Sequence, residues 1–130
     1  MKLGLGLGIS ASPGTSAPDL LVRPPSIINA GWADNGNNTY THTEGSAGAI
    51  HFTVPLVAGN SYDVKVNSTT ESAGTFSIAF TGGSTTSVAG SLSNENATYT
   101  ATAGVGNNML RIFAGSGSDV VISSISVHDA

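Results

Sequence analysis

Hydrophobic residues in this chain recur at every second position over short runs, and polar turns separate the runs. In "AIHFTV", Ile50, Phe52 and Val54 share one face while Ala49, His51 and Thr53 take the other. "SYDVKVNS" sets Tyr62, Val64 and Val66 against Asp63, Lys65 and Asn67, and "GTFSIAFT" turns Phe76, Ile78 and Phe80 inward. "NMLRIFAG" opposes Leu110 and Ile112 to Met109, Arg111 and Phe113. Such alternation marks a strand with one buried face, because successive side chains point to opposite sides of a sheet. In "DVVISSISVHD" the phase changes between the pair Val120 and Ile122 and the pair Ile125 and Val127. One extra residue at Ser123-Ser124 would return the apolar side chains to the same face, which predicts a β-bulge. A weaker run surrounds Tyr99, and shorter strands are expected at "TYTHT" and "TTSVAG".

Glycine-rich turns such as "AGN", "TGGS", "GVGNN" and "GSGS" punctuate these runs. About eight short strands with turns of this kind predict an all-β domain. No stretch sustains a helical period. The fold expected is an antiparallel β-sandwich of jelly-roll type over residues 28–130.

Residues 1–27 have a different pattern and are expected to form an extended anchoring arm. Pro13, Pro18, Pro24 and Pro25, four of the five prolines, fall here. Proline lacks a backbone donor, so "ASPGTSAP" and "VRPPS" read as extended chain. At the head of the arm, Leu3, Leu5, Leu7 and Ile9 alternate with Gly4, Gly6 and Gly8. A strand of this composition has one apolar edge and one bare face, across which another backbone approaches closely. That suits β-augmentation, in which main-chain hydrogen bonds supply affinity and spaced side chains supply register. Leu3, Gly4, Leu5, Gly6, Leu7, Gly8 and Ile9 are therefore the expected partner-docking residues. The other readings are a first strand of the chain's own sandwich and a degenerate leader. For a signal peptide the apolar run is short and nearly half glycine. An arm of about 25 residues spans at most ~80–90 Å when fully extended, enough to cross to a neighbouring subunit.

Composition narrows the function. Only 9% of the 130 residues are charged, and the formal net charge is −4. Lys2, Arg23, Lys65 and Arg111 are scattered, so no basic patch exists to release counterions from nucleic acid. Cysteine is absent, which removes disulfides and thiolate metal sites. No run approaches the ~20 apolar residues of a membrane-spanning helix. "GLGLG" lacks the strand before it and the Lys-Ser after it that a phosphate loop needs, and no G-x-S-x-G nucleophile motif occurs. The expectation is a protein without catalytic residues or cofactor. His42, His51 and His128 lie on separate runs without ligand spacing and are expected to face outward. Sequons stand at Asn37, Asn67 and Asn96.

One resemblance emerges from the order of the segments. "INAGWADNG" places Trp32 after an Asn near the start. Leu56, Gly59, Tyr62 and Val64 match an L-x-x-G-x-x-Y-x-V segment, and Ile122, Ile125 and Val127 match a closing I-x-x-I-x-V strand. About three quarters of the chain thus resembles the carbohydrate-binding-module-like jelly rolls found in phage tail and virion proteins, and its short motifs speak to fold more than to function. The resemblance implies a non-enzymatic virion protein, made in the host cytoplasm. It would be a capsid-decoration (cement) or fibre-like tail component. Its arm would dock on a capsid or tail lattice, and its copies would form a homo-oligomer, a trimer before other numbers. The alternative it implies is a carbohydrate-binding module that contacts host-surface glycans through Trp32, Tyr40 and Tyr99. Against that role, Trp32 and Tyr62 read equally as core aromatics. Jelly rolls of this type also carry a structural calcium between the first loop and the last strand, where Asp34 and Asp129 are the matching acids.

Overall fold

The computed structural model describes residues 17–130. Its strands are β1 (Val22–Ile28), β2 (Trp32–Asp34), β3 (Tyr40–His42), β4 (Gly48–Thr53), β5 (Ser61–Thr70), β6 (Phe76–Thr81), β7 (Thr86–Leu92), β8 (Glu95–Thr102), β9 (Met109–Ala114) and β10 (Val120–Asp129). They build two five-stranded sheets, one ordered β1-β4-β9-β6-β7 and the other β2-β3-β10-β5-β8. The antiparallel pairs β3 with β10, β4 with β9, β5 with β8, and β6 with β7 are nested along the chain. A long β-ribbon folded over on itself in this way is a jelly roll.

The alternating runs meet face to face between the sheets. Ile50, Phe52, Ile78, Phe80, Leu110 and Ile112 come from the first sheet, and Tyr62, Val64, Val66, Ile122, Ile125 and Val127 from the second. All are at most 2% exposed. Edge-to-face aromatic pairs lock the layers, Tyr40 on Phe52 at 5.2 Å and Tyr62 on Phe80 at 6.1 Å between ring centroids. The bulge lies where the phase predicts it. Ile122 pairs with Ser68 and Ser124 with Asn67, which leaves Ser123 as the extra residue. In the "L-x-x-G-x-x-Y" segment, Gly59 turns the chain at φ +90° and the Val57 amide donates to the Tyr62 hydroxyl at 2.8 Å.

Two strands were not expected, β1 and β2, and the boundary at 27/28 is corrected by the first of them. "VRPPS" belongs to β1, which pairs antiparallel with β4. Its prolines are accommodated because β1 is an edge strand, and its register shifts between Val22 and Ile27. Leu21, 7% exposed, joins the core ahead of it. The Leu20 amide donates to the Val127 carbonyl at 2.7 Å. The sandwich therefore includes residues 20–27, which proline content alone had assigned to the arm. Leu3–Ile9 lie outside the described residues.

Candidate functional site

The three aromatics proposed to stack on sugar do not form a platform. Trp32 is 7% exposed and Tyr40 1%, so both are core residues. The Trp32 Nε1 donates to the Gly48 carbonyl at 3.0 Å, and its ring packs edge-on against His42. Tyr99 is half-buried on β8, the far edge strand from β2. Four inter-strand steps separate those edges, about 19 Å. The Tyr99 hydroxyl donates to Glu95, and that bond, together with burial, raises its pKa.

The calcium pair is corrected by register. Asp34 is level with Ile122 of β10 through Tyr40, whereas Asp129 lies seven residues further along that strand. At strand rise the two acids stand about 23 Å apart, too far to share an ion. Asp34 instead accepts from the Gly36 amide in a local turn at 2.9 Å. No group of three or more His, Asp or Glu residues converges to hold a metal among the described residues.

The histidines divide. His42 was expected outside and is fully buried. Its Nδ1 lies 2.6 Å from the Ser118 carbonyl, which only accepts, so Nδ1 carries the proton. The Nε2 then faces Gly31, where an added Cβ would come within 2.6 Å of it. His128 contacts the Ala17 carbonyl through Nδ1 at 2.7 Å and the Ser126 hydroxyl through Nε2 at 2.9 Å. Beside it, the Asp19 carboxylate accepts from the amides of Val127 and Leu21, each at 3.0 Å, and pairs with Arg23 at 2.8 Å. Burial alone would raise the pKa of Asp19. The Val127 and Leu21 amides and the Arg23 guanidinium outweigh it and hold the carboxyl below its usual value.

The outward face of the first sheet is the feature that the sequence did not assemble. Register aligns Ala49, Phe113 and Ser77 in one row, His51, Arg111 and Ala79 in the next, and Thr53, Met109 and Thr81 in a third. None of the five strands of this sheet contains an Asp or Glu. Arg111 sits at its centre without a carboxylate partner among the described residues. The Nε of Arg111, the Nδ1 of His51 and the Oγ1 of Thr81 are buried and make no hydrogen bond there. Burial and the neighbouring Arg111 charge lower the pKa of His51. Phe113 is 41% exposed beside Arg111 and forms one wall of an open groove of about 420 Å³. Ser77, Thr75 and Ser91 contribute hydroxyls to that groove. The available signal was the outward phase of Met109, Arg111 and Phe113. Without pairing, it did not reveal which residues stand beside them.

No protein-family model matches the chain, and no curated protein matches its sequence. The class of protein is thus defined by the strand topology itself, an all-β jelly-roll sandwich.

Proposed function

We propose that this chain is a non-enzymatic assembly module, a capsid-decoration or fibre-like component of a phage particle. In this reading the Leu3–Ile9 segment adds as a strand to a neighbouring protein and the sandwich is displayed outward. The observation that carries it is the clasp at Ala17–Asp19. There His128, Val127 and Leu21 hold Ala17 and Asp19 at fixed points on the sandwich. A glycine-leucine strand joined to a compact body at a fixed point acts as a tether, and Pro13 and Pro18 between them stiffen the link. Low charge also favours dense packing of copies, a trimer or another symmetric oligomer.

The test compares the full chain with a Leu5→Asp, Leu7→Asp variant in cosedimentation with phage particles. The expected result is that only the parent chain sediments with the particles, while both have the same circular dichroism. Equal sedimentation of both, or of neither, removes the tether.

A further inference from the structure

Ser126 and His128 stand two positions apart on β10, and both are half-buried on the outward face of the second sheet. The Nδ1 of His128 lies 2.7 Å from the Ala17 carbonyl, which only accepts, so Nδ1 carries the ring proton. In the neutral ring Nε2 is then a lone pair, and the Ser126 hydroxyl donates to it at 2.9 Å. A hydroxyl, a base within hydrogen-bond reach and a third group that orients the base are the parts of an activated nucleophile. The Ala17 carbonyl takes the orienting place that a carboxylate holds in a Ser-His-Asp triad. The neighbouring hydroxyls on this face are engaged differently. Ser123 donates to the Asn67 carbonyl at 3.1 Å, and Ser124 accepts from the Asn67 side-chain amide at 3.0 Å. The Nδ1 contact by itself holds Ala17, so the clasp leaves the Nε2 contact without a use. Lys65 is directly opposite Ser126 in the β10–β5 register, exposed on the same face. That puts a cation beside the place where an attacked carbonyl oxygen gains negative charge.

We propose that Ser126 is a nucleophile with His128 as its general base, and that it accepts an acyl group from a small activated ester. Ser126 Oγ bonds to the ester carbonyl carbon as its proton passes to His128 Nε2. The bond from that carbon to the alcohol oxygen then breaks, and the alcohol oxygen departs with the electron pair. The proton on Nε2 goes to the departing oxygen or to water. Nδ1 keeps its own proton throughout, so the contact with Ala17 survives the step. The product is one ester on Ser126, a modification of the chain itself. It uses no residue of Leu3–Ile9 and does not rest on the tether.

The experiment treats the full chain with p-nitrophenyl acetate and, separately, with an alkyl fluorophosphonate, which loses fluoride to an activated serine. Intact mass and peptide mapping read the products. The expected result is one acetyl or one phosphonyl group per chain, on Ser126. Ser126→Ala should lose both labels, and His128→Gln should slow both by about a hundredfold, the scale of general-base assistance. Thermal unfolding shows whether each variant is folded. Ser124, on the same strand without an imidazole, is a control inside the unaltered chain, so the comparison stands even if the His128 variant does not fold. Ser126 should be labelled about a hundredfold faster than Ser124.

Equal labelling of Ser124 and Ser126 overturns the proposal. So does acetylation confined to amines such as Lys65 with no phosphonyl group on Ser126, or an unchanged rate in a folded His128→Gln chain. The Leu5→Asp, Leu7→Asp chain should be labelled like the parent, which separates this site from the tether.

Discussion

The Asp19 carboxylate accepts a hydrogen bond from the Val127 amide at 3.0 Å, fastening the chain that enters the sandwich to its last strand. The same carboxylate accepts from the Leu21 amide and pairs with Arg23. Three contacts of the clasp thus depend on one partly exposed side chain. Asp19→Ala should destabilise the protein by about 1–2 kcal/mol, read from the midpoint of urea unfolding.

The lowered pKa of Asp19 sets the direction of an acid response. The unfolded chain binds this proton more readily than the folded one. Stability from Asp19 is therefore full above its ordinary value of 3.8 and is lost as pH falls through the lower, folded value. Asp19→Asn should remove that part of the acid limb in a series of unfolding curves between neutral and strongly acidic pH.

His51 acts at higher pH with the same sign. Its folded-state pKa lies below the ordinary 6.5, so its contribution is full above 6.5 and declines as pH falls towards the folded value. Thermal midpoints of the parent should drop over that window, and those of His51→Gln should drop less. An unchanged slope in the variant would show that burial beside Arg111 does not govern His51.

Trp32→Ala tests core against surface. Because the indole is buried and bonded to the Gly48 carbonyl, truncation should cost about 3–5 kcal/mol in denaturant unfolding. A surface stacking residue would show almost no loss of stability.

Gly48→Ala and Gly115→Ala form a matched pair. A Cβ on Gly48 would lie 2.2 Å from the Ala30 carbonyl oxygen, whereas one on Gly115 meets nothing within 4 Å. The Gly48 variant should lose about 1–3 kcal/mol through forced backbone movement. The Gly115 variant should stay within about 0.5 kcal/mol of the parent.

The alternating runs determined the inward faces of β4, β5, β6, β9 and β10, down to a bulge at Ser123-Ser124, because burial of one face imposes a period of two on any strand. Short strands and glycine turns also determined the all-β class. Pairing was decided only in three dimensions. Proline at Pro24 and Pro25 argued against a strand until β1 took an edge, where a missing donor faces no neighbour. Asp34 and Asp129 looked like partners until register set them far apart. His42 looked polar and outward until Ser118 supplied a carbonyl inside. His51 and Arg111, 60 positions apart in the sequence, became neighbours because β4 and β9 pair. Local pattern records which side of a strand is buried, and only the long-range hydrogen bonds of a sheet decide which side chains share a face.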